Sequence, residues 1–275
     1  KDLLCILASL ALVAISLGIP SVLLSRGLLR SSSTRKLVHI GVSHWWLLYL
    51  AFRPSPWVGY LGSSAFILIN WIAYRRHLFR VLEDMSSRKS LGTVYFPLAL
   101  LALVSLVDLG LLKAWEAGLG VLILGWGDGM AALVGQGLGK APFRIFGQAK
   151  SLPGSLALFI FSAALTLAFS LVFDPGLGIA VLLVRMAAMG LFAAVVELIT
   201  PWGLDNLSLP IFSAFFFAYG ARTALAGPFV LAFLFNGLVA AVALGRKSVD
   251  PSGAVLGTAL GAILLLAGGV PAYAL

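Results

Sequence analysis

The amino-acid sequence predicts an all-α fold: a polytopic bundle of about ten transmembrane helices with the N-terminus outside. Composition, the length of the apolar runs and the placement of positive charge carry that prediction. Hydrophobic residues make up 61% of the chain and charged residues 11%, whereas soluble domains carry about 25% charged residues. Mean hydropathy is +1.05. A membrane-crossing helix needs roughly 20 mostly apolar residues. The apolar runs are continuous rather than alternating, which argues against a β-barrel. Backbone groups in lipid must be paired within their own segment, so such runs read as helices.

The runs fall at 3–24, 37–52, 56–73, 91–107, 114–136, 152–173, 177–198, 207–221, 225–244 and 252–270. Charge tests this division. The loops after the odd-numbered spans hold 14 of the 19 Lys and Arg residues, including Arg26, Arg30, Arg35, Lys36, Arg75, Arg76, Lys140, Arg144, Lys150, Arg246 and Lys247. The opposite loops hold Lys1, Arg53, Lys113 and Arg222, and Arg185 lies inside the seventh span. Cytoplasmic loops carry the excess of Lys and Arg, so the odd loops are expected to face the cytoplasm, and the expected location is a bacterial plasma membrane.

The net charge of +9 does not indicate nucleic acid, because the basic residues are dispersed among short loops as topological signals. Cys5 is the single cysteine, so neither an internal disulfide nor a cysteine-built metal site is available. The chain opens on Lys1 and stops inside an apolar run ending at Leu275; both ends read as cuts in a longer protein. Ser31-Ser32-Ser33-Thr34 reads as an ordinary loop.

The polar motifs gather on the cytoplasmic side. Gly125-Trp126-Gly127-Asp128-Gly129, followed by Gly135-Gln136-Gly137-Leu138-Gly139-Lys140, places a carboxylate near the cytoplasmic end of the fifth span. Intramembrane carboxylates are costly and usually functional. Flanking glycines admit close approach of a bulky anion, and Mg²⁺ bound to a triphosphate takes one or two carboxylates. The competing reading is a glycine-rich helix-packing seam beside a hydrated Asp. It is not a Walker A loop, which would need Gly where Val134 stands and Ser or Thr where Ala141 stands.

Lys150-Ser151-Leu152-Pro153-Gly154-Ser155 opens the sixth span. Hydroxyls and free N–H groups at a helix start suit phosphate; an N-cap behind a topogenic lysine would look the same. Glu197-Leu198-Ile199-Thr200-Pro201-Trp202-Gly203-Leu204-Asp205-Asn206-Leu207-Ser208-Leu209-Pro210 has two acids and no base. That departure from the positive pattern fits metal ligation or proton transfer, with an Asx turn as the plain alternative. Arg35-Lys36-Leu37-Val38-His39-Ile40 and Arg88-Lys89-Ser90-Leu91-Gly92-Thr93-Val94-Tyr95-Phe96-Pro97 lie on the same side. Arg185 either pairs with a site carboxylate or is a structural residue.

In order along residues 30–220, these motifs resemble the polyprenol kinase family, which includes phytol, farnesol and dolichol kinases and CTP-dependent diacylglycerol kinases. The Asp205-Asn206-Leu207-Ser208-Leu209-Pro210 ending is most similar to the phytol kinases, although Leu204 stands where many of them have a further acid. The resemblance implies phosphoryl transfer from CTP or another nucleoside triphosphate to a long isoprenoid alcohol, phytol first. It implies Asp128, Glu197 and Asp205 as catalytic residues, with Mg²⁺ on Asp128 and Asp205. It further implies a nucleotide and phosphate site built from Arg35, Lys36, His39, Gly127, Gly129, Gly139, Lys140, Lys150, Ser151, Gly154, Ser155 and Asn206. The related phosphatidate cytidylyltransferases and, in another class, transporters are the alternatives. Residues 223–275 form a separate expectation. Asn236-Gly237-Leu238, Arg246-Lys247-Ser248-Val249-Asp250 and Gly268-Gly269-Val270-Pro271 resemble the opening of the phytyl-phosphate kinase membrane family. A kinase unit over 1–222 fused to the start of a second unit would result.

Overall fold

The computed structural model describes residues 1–76, 91–139 and 142–273. Each apolar run predicted from sequence is helical. Helix α1 (Asp2–Ser25) is followed by α2 (Ser31–Ser43), α3 (Trp45–Phe52), α4 (Pro56–Arg76) and α5 (Gly92–Asp108). The fifth run is a continuous rod made of α6 (Ala114–Leu122), a π-helical turn (Ile123–Asp128) and α7 (Gly129–Leu138). After a short hairpin come α8 (Leu152–Phe173), α9 (Ile179–Ile199) and α10 (Asp205–Phe216), which ends in a second π turn (Phe217–Ala221). Helices α11 (Ala226–Gly245) and α12 (Pro251–Tyr273) complete the described chain. Six of these segments are long and apolar enough to cross a membrane: α1, the α6–α7 rod, α8, α9, α11 and α12. The protein is an all-α membrane bundle.

Three local features depart from the sequence reading. The Ser31–Thr34 stretch is the first turn of α2, not a loop, with the Thr34 Oγ1 hydroxyl donating to Arg30 O at 3.0 Å. The second run is interrupted at His44, which separates α2 from α3. The segment after α7 folds into an antiparallel hairpin of β1 (Phe143–Ile145) and β2 (Gln148–Lys150), pairing Phe143 with Lys150. Its two-residue turn, Phe146-Gly147, has φ of 48° and 79°. Two left-handed residues match the twist of a tight hairpin.

The core lies where the rod meets its neighbours. Trp46, Leu103, Leu119, Ile123, Leu124, Leu158, Met189, Leu209 and Phe217 are fully enclosed there. The rod is the bundle's axis, and α1, α11 and α12 remain apolar on their outer faces. A smaller cluster of Ala188, Phe229, Phe233 and Ala262 seats α11 and α12 against α9.

The two ends of the bundle differ. At one end, Ser55 N donates to Asp2 Oδ1 at 2.9 Å, Tyr60 Oη to Asp108 Oδ2 at 3.0 Å, and Trp46 Nε1 to Ala114 O at 2.7 Å. There Arg222 joins three helices: its Nε and Nη2 donate to Asp174 at 2.8 and 3.0 Å, and its Nη1 to Glu116 at 2.6 Å. Arg185 donates to Asp174 at 2.9 Å and to Ser170 at 3.2 Å. Its partner is therefore Asp174 and not a carboxylate of the motif-bearing end. The other end carries the predicted motifs.

Candidate active site

Four chain segments bring their charges to one place. The first is the rod. Asp128 closes the π turn and is only 5% exposed. A π turn inserts one extra residue into the helix and is frequent at functional positions. The 10 residues of α7 follow Asp128 before the rod ends at Leu138, so the carboxylate lies further inside the rod than its motif position indicates.

The second segment is α2. Lys36 Nζ donates to Asp128 Oδ2 at 2.6 Å. Residues three to four apart share one helix face, and Ser32, Lys36, Ile40 and Ser43 all lie along the rod. Ser32 Oγ donates to Gln136 Oε1 at 3.2 Å. A Cβ on Gly129 would stand 2.5 Å from Cγ1 of Ile40, and one on Gly125 would overlap Ser43. These two glycines admit the close passage of α2.

The third segment is the hairpin with the start of α8. Lys150 ends β2, and its Nζ donates to Glu197 Oε1 and, at 3.3 Å, to Glu197 O. Ser151 caps α8: its Oγ accepts from Gly154 N at 3.3 Å. Gly154 lies against Ala131 O of α7, and Gly139 against Ser151. Gly127 faces Ser162 and Leu158 of α8. Ser155 N donates to Ser151 O at 3.0 Å within the first turn.

The fourth segment is the corner between α9 and α10. Trp202 and Gly203 have φ of 59° and 82°, and this left-handed pair reverses the chain. Glu197 in the last turn of α9 thereby meets Asp205 at the start of α10. Asn206 holds Asp205: its N and Nδ2 both donate to Asp205 Oδ1, at 2.9 and 3.0 Å, and Nδ2 also donates to Gly203 O at 3.0 Å. Both donations fall on Oδ1.

Oxygens of Asp128, Glu197 and Asp205 lie within 4.8 Å of one another. Three carboxylates this close repel strongly in a medium of low dielectric, and two lysines offset part of that charge. Burial opposes the Lys150 ammonium, but Glu197 outweighs it and holds the lysine above its ordinary range. Asp205 stands ahead of the run 207–221. Burial, then the Asp128 charge, pushes its carboxyl above the usual range. An all-oxygen cluster with residual negative charge suits a hard divalent cation. The donor set therefore fits Mg²⁺.

Arg35 is half-buried beside Lys36 on α2. The His39 ring packs on Phe96 of α5, centroids 4.9 Å apart, and its Nε2 is buried without a partner among the described residues. Lys140 and the Arg88-Lys89-Ser90 part of the fifth motif lie outside the described residues. The sequence reading left two groups without a role. One is His44 with Trp126. The other is the Glu116–Asp174–Arg222 network, whose only sequence signal is a set of charges at span ends on the less basic side.

Over 187 residues the chain is 35% identical to the phytol kinase of Synechocystis sp., covering 66% of this chain and 76% of that protein. The chain belongs to the polyprenol kinase family. No protein-family model and no solved structure matches it. For this polyprenol kinase family member, Lys36, Asp128, Lys150, Glu197 and Asp205, all from motifs that carry the resemblance, meet at one place.

Proposed function

We propose that the chain transfers the terminal phosphoryl group of CTP, or another nucleoside triphosphate, to the hydroxyl of a long-chain isoprenoid alcohol, phytol in the first place. The observation that carries this reading is the convergence of Asp128, Glu197 and Asp205 with Lys36 and Lys150 at one end of an apolar bundle, in a chain of the polyprenol kinase family.

Phosphoryl transfer depends mainly on positioning and charge. In this reading Lys36 and Lys150 release their carboxylates to phosphate oxygens, and Lys140 adds a further charge. Ser151, Ser155 and Asn206 offer hydrogen bonds, and Arg35 and His39 border the nucleotide. The alcohol oxygen attacks the terminal phosphorus, its proton passes to Glu197 once Lys150 has turned to phosphate, and the nucleoside diphosphate leaves. Asp128 and Asp205, with Glu197 beside them, would hold Mg²⁺, which supplies charge neutralisation on the phosphates. The prenyl tail stays in the bilayer against the apolar outer helices.

The same reading sets all ten apolar segments across a bacterial plasma membrane, with the N-terminus outside and the site on the cytoplasmic face. Residues 223–275 are the start of a fused second unit resembling phytyl-phosphate kinase.

The deciding experiment incubates membranes holding the protein with labelled CTP and phytol, farnesol, dolichol or diacylglycerol. A labelled prenyl phosphate with release of CDP, abolished by EDTA and restored by Mg²⁺, is expected. Release of pyrophosphate with a CDP-lipid product would make the chain a cytidylyltransferase instead. In this assay Asp250→Asn should leave turnover unchanged; its loss in a folded protein would end the two-unit proposal.

A further inference from the structure

His44 has no place in the motif set, yet both of its ring nitrogens are engaged. Nδ1 lies 2.8 Å from Ile40 O, and Nε2 lies 3.2 Å from Trp126 Nε1. A carbonyl oxygen only accepts and an indole N–H only donates. The two contacts therefore fix one tautomer: Nδ1 carries the proton and donates to Ile40 O, and Nε2 accepts from Trp126. The ring joins the end of α2 to the π turn.

The place of that junction matters. Trp126 lies two residues before Asp128, within the same π turn. Its indole is held on two sides, edge-on to the His44 ring at 5.8 Å and stacked on Phe161 of α8 at 6.0 Å. A π turn has an extra residue to accommodate and is less regular than the α-helix around it, so its register needs external support. From Lys36 to His44, α2 supplies that support. Lys36 bonds Asp128, Ile40 fills the space over Gly129, Ser43 covers Gly125, and His44 bonds Trp126. Of these contacts, only the two hydrogen bonds have direction. Lys36 exchanges partners when phosphate arrives, which leaves His44 as the fixed one.

We propose that His44 is a positioning residue for phosphoryl transfer: by accepting from Trp126 it holds the π turn in the register that presents Asp128 to the site. The inference rests on the kinase reading above. It adds a residue that touches neither nucleotide nor alcohol and acts through Trp126. Small displacements of a catalytic group lower rate more than they lower binding, so the effect belongs to kcat.

The test uses the full chain in membranes, with His44→Leu, His44→Gln, Trp126→Phe and the His44→Leu/Trp126→Phe double variant. His44→Leu should lower kcat about 10- to 100-fold and leave KM for the alcohol within about twofold. His44→Gln, whose Oε1 reaches about as far as Nε2, should recover most of the loss. Adding Trp126→Phe to His44→Leu should cost little more, since both remove one contact. A second arm needs no turnover. In ¹⁵N-labelled protein in detergent, the indole N–H signal absent from Trp126→Phe belongs to Trp126. It should move in His44→Leu and return toward its original place in His44→Gln. A wild-type kcat in His44→Leu, equal losses in Leu and Gln, additive losses in the double variant, or an unmoved indole signal would each overturn the proposal. Absence of prenyl phosphate with wild-type protein would count against the kinase reading alone, and the indole signal would still decide the His44–Trp126 contact.

Discussion

Asp128 shows what one residue costs and what its neighbour returns. A carboxylate in a 25-residue apolar rod is unfavourable alone, and the Lys36 ammonium at 2.6 Å compensates it. Removing the lysine leaves a buried unpaired carboxylate, at about 3–5 kcal/mol, whereas removing the carboxylate leaves an ammonium on the more exposed side chain of the pair, 19% against 7%. We predict that Asp128→Asn inserts normally but loses about 10²-fold or more in phosphorylation rate, through loss of transition-state charge stabilisation. Lys36→Met should reduce the yield of inserted protein, and adding Asp128→Asn should restore yield without restoring activity. Near-full turnover in Asp128→Asn would remove the central assignment. Asp128, Glu197 and Asp205 were legible in the sequence because acids stand out against apolar surroundings or a basic loop pattern. Lys36 was legible as a site residue only through the family likeness, since next to Arg35 it looks like any other topological charge. His44 gave no signal, and Trp126 stood inside the central motif without a role of its own, because the bond between them depends on how α2 lies on the rod.

At the level of elements, hydropathy located the apolar runs that the structure describes as helical, since it measures what lipid or a core will accept, but not the polar first turn of α2. It did not locate the break at His44 or the two π turns, because a change from i−4 to i−5 hydrogen bonding leaves composition unaltered. The hairpin escaped for a related reason: two three-residue strands are too short to show alternation. The Glu116–Asp174–Arg185–Arg222 network belongs to this scale, because its function is to join helices. Arg222, foremost by its hydrogen bonds, holds the Asp174 carboxyl below its ordinary value of 3.8. A depressed carboxylate stabilises the fold fully above that ordinary value, and the contribution is lost as pH falls through the depressed one. We predict that the thermal midpoint in detergent drops on the acid side of about pH 4 and that Asp174→Asn flattens this drop. Parallel curves for the two proteins would show that the network adds no stability.

For the whole molecule, the prediction concerns sidedness. Gln148 lies in the hairpin, Trp202 in the α9–α10 corner and Ser32 at the start of α2, and the site assembles from those three regions. Single cysteines at these positions, in a chain with Cys5→Ser, should react with an impermeant thiol reagent from one side of the membrane only. Labelling of position 202 from the opposite side would separate Asp205 from Lys150 and dismantle the shared site.

The charged network at the far end has a mechanical meaning. It ties together the start of the α6–α7 rod, the end of α8, the first half of α9 and the end of the α10 segment; Lys150, Glu197 and Asp205 stand at or beside the other ends of the last three, and Asp128 lies part-way along the rod. Rods fastened at one end can part only at the other. With a lever of about 30 Å for a helix of some 20 residues, a swing of about 6° shifts the free end by about 3 Å, roughly the span of one hydrogen bond. The clasp of Arg222 would thus act as a pivot, confining the opening of this protein to the face where its reactive groups stand.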